Sequence, residues 1–514
     1  MTGSRTSRGL VYGSARFFYR SIKKIVGPSV RSHPRLYGFA LALKEAVKEL
    51  LRPHTAGHES LPGSSPSGAP PPLSEPACKG EAKTVLPMWL IEEWREIHAI
   101  EPQLFPVRDI QFNIVTDFIS PSRVGERYLD LCALYGEGVS HVFLVPWVKK
   151  GGADLVTINY VKALSGQGLG KGVVVITTEN ADSPWAKKLA AEARLIEFGK
   201  RYSCLTPEEQ EKLLARVLLQ MAPQVVHNIN SYLGYGIFIK YGKALSSVSH
   251  LYACAFCEDI TPEGRAIGYP ICFLPNCFDA LTAVFSDNRH ILDKLQDIFA
   301  FEEEKLCVHY QPVDSAPAKQ FPQKNANKEH LDILWASRLD IQKRPDILIG
   351  IAGRCQNLPF TFHVYGTPVY GTTKDEAEAF VSSLNALPNV RYYGPFEGLP
   401  SLPVEKYDLY LYTSQWDGLP NILLEAVSVG LPVIASKTGG IGELIRHGET
   451  GFLIDPYDDP DAYVRALSAI FSDRSGLKII ARNAYELLIQ RHTSSNFAGA
   501  LKAVPHYADF TPDN

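Results

Sequence analysis

From Trp89 onward the hydrophobic positions follow two periods in turn. "WLIEEWREIHAIEPQLFP" spaces its apolar residues as an amphipathic helix would, and Pro102 stops it. Short β-prone runs follow: "HVFLVPW" (141–147), "GVVVITT", "ARLIEF", "QVVHNI", "SHLYACAF" and "LCVHYQ". Helical patterns separate them, among them "GGADLVTINYVKAL" and "TPEEQEKLLARVLLQM", the second with Thr206 placed as its N-cap. Alternation of this kind predicts a parallel, doubly wound sheet. "PVDSAPAKQFPQKNANKEH" (312–330) breaks the series, and a second one begins with "LDILWAS", "FTFHVYG", "VRYYG", "YDLYLYT", "PVIAS" and "FLID" as strands. The pattern predicts two Rossmann-like α/β domains, 88–315 and 328–490, facing a cleft, with a tail, 491–514, returning to the first. The carboxyl edges of both sheets would meet at one site, where ligands bind in open α/β sheets.

One stretch concentrates chemistry at such an edge. In "SQWDGLPNILLEAVSVGLPVIASKTGG" (414–440), Gly418 and Pro420 end a strand and open a helix that Gly430 and Pro432 close. Pro420 is expected at the first helical position, leaving the amides of Asn421, Ile422 and Leu423 as donors. With the helix dipole, these form an anion site. Asp417 sits before the helix and Glu425 inside it, with seven residues between them. Upstream, "WASRLDIQKRPDILIGIA" places Arg338 just past a strand end and Lys343 before a helix. A guanidinium and an ammonium at that edge suit a diphosphate, each charge-assisted bond contributing roughly 1.5–3 kcal/mol.

Composition narrows the class. A chain of 514 residues is too long for one core, and 45% hydrophobic, 21% charged and a net charge of −3 describe a globular protein with no footprint for nucleic acid. No apolar run approaches the roughly 20 residues of a membrane span, and the N-terminus lacks a signal-peptide core, which predicts a cytoplasmic protein. Residues 1–52 are strongly basic, with only Glu45 and Glu49 opposing a series from Arg5 to Arg52. "ARFFYRSIKKIV" fits an amphipathic helix resting on anionic lipid, which would place the protein peripherally on the inner membrane; a disordered basic tail or a helix docked on the body fits equally. Residues 53–87 read as a Pro/Gly/Ser linker.

Nine irregularly spaced cysteines suit a reducing compartment. Cys254, Cys257, Cys272 and Cys277 loosely resemble a zinc spacing, but strand alternation would turn the first two to opposite faces. Buried free thiols are the better reading, and no metal or cofactor is expected.

The segments "ASRLDIQKRPDILI", "FHVYG", "NVRYYGPF" and above all "DGLPNILLEAVSVGLPVIASKTGGIGELIRHGETGFLIDP" resemble the nucleotide-sugar half of retaining glycosyltransferases of family 4, which have the GT-B fold. The resemblance is close over 331–475. It implies a UDP- or GDP-linked sugar donor held without a metal, its diphosphate met by Arg338, Lys343 and the amides after Pro420. The family places a glutamate at the donor sugar and a second at the ribose; Glu425 matches the second, and Asp417 replaces the first, one methylene shorter. Gly418 belongs to the same donor loop.

The first half matches less closely. "PWVKKGGADLVTINYVKAL" resembles the family's first strand, glycine loop and helix, so Gly151 and Gly152 are expected to approach the donor or acceptor; a plain strand-to-helix turn is the alternative. Where the family offers a histidine near the sugar, this chain reads "FCEDITPEG", so Glu258 or Asp259 stands in or the role is absent. His227, at another strand end in "VVHNINS", is a candidate to line the cleft or a core histidine. The run from "EEWREIHAIEPQLF" to "FCED" resembles the first domain of large bacterial polysaccharide-assembly glycosyltransferases.

The resemblance thus implies transfer of a hexose-type sugar to a glycan or lipid-linked glycan acceptor, with Arg338, Lys343 and Asp417 as the catalytic group. Two alternatives stand beside it: a sugar-nucleotide epimerase on the same fold, and an inactive donor-binding subunit of an assembly complex.

Overall fold

Val142, Phe143, Leu144 and Val145 leave no face of their segment exposed, which is the condition of a central strand in a parallel sheet covered on both sides. This strand, His141–Val145 (β1), stops where Pro146 removes a ladder donor. The computed structural model describes residues 88–103, 123–261, 263–313, 329–368 and 374–508, all within one unit, Ala82–Asn514. The basic segment 1–52, the linker 53–87 and most of the break at 312–330 lie outside the described residues.

Two helices, α1 (Met88–Ile100) and α2 (Arg123–Tyr135), precede β1. The first half continues α3 (Gly152–Gly166), β2 (Val173–Thr177), β3 (Arg194–Ile196), α4 (Pro207–Met221), β4 (Val225–Asn228), α5 (Tyr232–Leu245) and β5 (His250–Cys254). A small hairpin, β6 (Asp259–Ile260) and β7 (Ala266–Ile267), follows, then β8 (Ala283–Ser286), α6 (Arg289–Phe299) and β9 (Leu306–Val308). The large strands form one sheet in the order β3-β2-β1-β4-β5-β8-β9, parallel throughout. Thr206 caps α4 in a full capping box with Glu209, as its position before Pro207 predicts.

The second half runs β10 (Leu331–Ala336), α7 (Pro345–Arg354), β11 (Phe360–Tyr365), α8 (Lys374–Asn385), β12 (Val390–Gly394), β13 (Leu409–Tyr412), α9 (Asn421–Ser428), β14 (Val433–Ser436), β15 (Phe452–Ile454), α10 (Pro460–Ser472) and α11 (Leu477–Arg491). Its sheet order, β12-β11-β10-β13-β14-β15, reverses direction between β10 and β13. That reversal is the topological switch point, where a crevice opens at the strands' carboxyl ends. Trp335 of β10 is wholly buried there and donates its indole N–H to Thr413 Oγ1 at 2.9 Å.

The last helix, α12 (Ser494–Ala503), leaves the second half and returns to the first. Phe497, Leu501, Val504 and Tyr507 share a buried cluster with Phe143, Tyr160 and Phe285 of the first half. The two chain crossings are bonded to each other: the Val313 amide donates to the His492 carbonyl at 3.0 Å, and His492 Nδ1 lies 2.8 Å from the Gln311 carbonyl. Among the described residues no helix is long and apolar enough to cross a membrane.

Candidate active site

Lys343 is directed inward by its own turn. Asp340 accepts the Lys343 amide at 3.0 Å and starts a single 3-10 turn, Ile341–Lys343; Arg344 then takes a left-handed conformation before Pro345 opens α7. The Lys343 side chain, 9% exposed, forms an ion pair with Asp417, itself 12% exposed. Lys343 Nζ also donates to Tyr412 Oη at 2.6 Å. Tyr412 and Ser414 hydroxyls donate to Asp417 Oδ2 at 2.5 and 3.1 Å. The Lys343, Tyr412 and Ser414 contacts to Asp417 all fall on its Oδ2. Arg338 occupies the rim, 48% exposed, held 3.2 Å from Asp340 and bonded to Gln342 at 2.5 Å.

The turn at 416–418 is held from behind. Gly440 donates its amide to the Gly418 carbonyl at 3.1 Å, and Gly439 packs so closely that a methyl there would stand 1.7 Å from the Asp417 carbonyl oxygen. Pro420 proves to be the N-cap of α9 and not its first residue, because its ψ of 128° is extended. The Leu423 amide closes on the Pro420 carbonyl at 2.9 Å, so the donors at the open helix end are those of Asn421 and Ile422, one fewer than the sequence pattern gave. Glu425, one turn further in, accepts the Leu399 amide at 2.8 Å; burial raises its carboxyl and that bond opposes the rise. A cavity of about 650 Å³ runs along this helix, lined by Leu155 and Asn159 of α3, Pro400, and Asn421, Leu424 and Glu425.

The first half meets this surface with its glycine loop. A methyl on Gly152 would lie 3.7 Å from Asn421 Nδ2, so α3 and α9 approach each other at their N-termini. Lys150, beside the glycines, reaches the second half: it donates to the Phe396 carbonyl and stands 3.4 Å from Glu397. Asp154 anchors the loop by accepting the Lys149 amide at 2.7 Å, its carboxyl pushed up to about 6 by burial.

The residues after β5 separate into distinct roles. Glu258 pairs with Lys294 of α6 and is engaged within the first half. Asp259 comes close to Arg338 and Trp416, burial raising its carboxyl against their lowering influence. Cys257 is half-buried near Asp417 and Lys343, and desolvation raises its thiol well above the ordinary value. Cys254 contacts His227 instead, and these cysteines are free.

His227 does not line the cleft. It is wholly buried, 2.7 Å from the Tyr507 hydroxyl and 3.2 Å from Cys254 Sγ, among the rings of Phe143 and Tyr160. Its place on the central strand of the sheet, register-paired with Phe143, turns it into the core, where burial holds it well below the usual histidine range. Conversely, Tyr412 was read only as a strand residue, and Ser414 and Lys150 carried no expectation from the sequence. Side-chain contacts to a carboxylate or a carbonyl on another segment leave no local pattern.

The short carboxylate is matched to its setting. Asp417→Glu is expected to lower the melting temperature, because the longer side chain must vacate the point where Lys343, Tyr412 and Ser414 converge. Calorimetric melting of the two forms checks this; a glutamate variant that melts no lower would contradict it.

Residues 318–487 match the family model described as "Glycosyl transferases group 1". The chain is 24% identical over 340 residues to the putative glycosyltransferase YtcC of Bacillus subtilis, covering 62% of this chain and 80% of that protein. It is 28% identical over 234 residues to the Vi polysaccharide biosynthesis protein VipC/TviE of Salmonella typhi, covering 42% of this chain and 39% of that protein. In fold it is similar to Anabaena Alr3699/HepE, solved in complex with UDP and glucose, with a TM-score of 0.56 at 18% identity, covering 70% of this chain and 98% of that one. Residues 318–487 therefore form a glycosyl transferases group 1 domain, and the two Rossmann-like halves together have the GT-B fold.

Proposed function

We propose that this protein is a retaining glycosyltransferase that moves a hexose-type sugar from a UDP- or GDP-linked donor to a glycan acceptor in cell-surface polysaccharide synthesis. The observation that carries the reading is the buried Lys343–Asp417 pair at the carboxyl edge of β10 and β13, next to the open end of α9. The donor diphosphate is placed between Lys343, Arg338 and the Asn421 and Ile422 amides. Glu425 faces the ribose, and Asp417 a sugar hydroxyl.

As the glycosidic bond breaks, charge develops on the leaving phosphate, and fixed cationic and amide donors are worth most there because they need no reorganisation. These groups supply what a divalent cation would otherwise supply, so transfer is proposed to be metal-independent. The acceptor hydroxyl attacks from the face the diphosphate leaves, and the phosphate oxygen takes its proton. No side-chain base is required. The names of VipC/TviE and HepE's complex with UDP support the polysaccharide context and the nucleotide.

Thermal shift with UDP and GDP tests the donor site, since a ligand at about 100 times its dissociation constant adds roughly 2.7 kcal/mol. Glu425→Ala is expected to weaken the binding nucleotide by roughly 10- to 100-fold, the loss of one charge-assisted bond. Product analysis then completes the test: transfer to a glycan with retained anomeric configuration supports the proposal, whereas tight nucleotide binding without turnover marks a binding subunit and epimerised donor an epimerase.

A further inference from the structure

We infer that Asp287, at the end of β8 in the first half, is a positioning residue that fixes the 416–419 turn carrying Asp417. The inference rests on the reading of Asp417 as the carboxylate at the donor sugar. Asp287 is 7% exposed and lies directly under the turn. A methyl on Gly418 would stand 2.9 Å from Asp287 Oδ1, 2.7 Å from the Phe256 carbonyl and 3.0 Å from Asn288 Nδ2, so the turn's backbone rests on these three groups. The Leu419 amide is a nearby donor that favours the ionised Asp287 carboxyl.

Asn288 braces the carboxyl from its own side. Its Nδ2 donates to Asp287 Oδ1 at 2.6 Å and to the Phe256 carbonyl at 2.9 Å, while its Oδ1 caps α6 by accepting the Ile291 amide at 3.0 Å. A group of the first half thus holds the loop of the second half on which the reaction depends. Glu443 fastens the same seam from the opposite direction, accepting the Arg289 and His290 amides at 2.7 and 3.1 Å and the Tyr310 hydroxyl at 2.8 Å.

Two carboxylates bear on Asp287, one of them paired with the Lys343 ammonium. Asp417 on the turn and Glu443 on the following segment both disfavour its ionisation. Cys254 at the end of β5, Cys257 after it and Tyr160 of α3 also face it. Burial, with these charges, pushes the carboxyl up to about 7, against the Asn288 and Leu419 donors. The ionised form is the better acceptor for both donors, so the turn is held most firmly above that pH. The same shift costs stability: the folded state holds a proton that the unfolded state releases from about pH 4, so stability is lost as pH rises toward about 7.

The test compares Asp287→Asn and Asp287→Ala in the full chain. Native kcat is expected to rise with pH through about 7. Asp287→Asn keeps an acceptor and removes that inflection. Asp287→Ala lowers kcat by about 100-fold, the scale of a small misplacement of a reacting group, with nucleotide affinity unchanged. Hydrogen–deuterium exchange of the 414–424 peptide needs no substrate and so reports on Asp287 even if the functional reading fails. Faster exchange in Asp287→Ala alone supports the inference. Exchange as in the native protein, or an inflection that persists in Asp287→Asn, overturns it.

Discussion

Lys343→Met lowers kcat/KM for the nucleotide-sugar by about 100- to 1,000-fold, the loss that follows removal of one preorganised donor at a developing oxyanion. The effect has two sources. The variant loses the ammonium that meets the leaving diphosphate, and it leaves Asp417 buried without its cation. Removing one member of a buried pair costs roughly 3–5 kcal/mol of stability, so the melting temperature falls as well. Tyr412 and Ser414 still donate to Asp417 and retain part of its position. Asp417→Asn separates the two sources: it breaks the same buried pair, at a similar cost in stability, but keeps the diphosphate ammonium, so nucleotide affinity is retained. Transfer kinetics with calorimetric melting of both variants check this, and native-like kcat/KM in Lys343→Met would remove the lysine from the mechanism.

Gly439→Ala inactivates through backbone alone. Gly439 has a φ of +50°, which an alanine tolerates poorly, and its new methyl would stand 1.7 Å from the Asp417 carbonyl oxygen. Neither group is the flexible end of a side chain, so the turn must move and Asp417 with it. A displacement near 1 Å costs about 100-fold in rate. Gly442→Ala serves as control, since a methyl there meets nothing within 4 Å. Equal rates in the two variants would contradict the role given to the turn.

Local pattern carried much of this site and stopped where distant segments meet. Arg338, Lys343, Asp417 and Glu425 announced themselves because strand ends, a proline and a glycine fix where each falls along its own element. The start of α9 was misplaced by one residue because Pro serves as either N-cap or first residue, and only ψ separates them. His227 could not be placed because a strand's end does not state which face its last residues take. Glu258 and Asp259 are neighbours where a short hairpin begins, and the partner of each, Lys294 or Arg338, lies far along the chain. Asp287 carried no signal at all, since what it supports is a backbone of the other half.

The twofold crossing of the chain has a consequence for protein engineering. The first half is discontinuous in sequence: residues after His492 complete its core through Phe497 and Tyr507. A chimera that borrows the donor half of a relative must therefore exchange a central segment with two junctions, near 313 and near 492, and keep its own last helix. A single junction would join the new half to a plug shaped for another core.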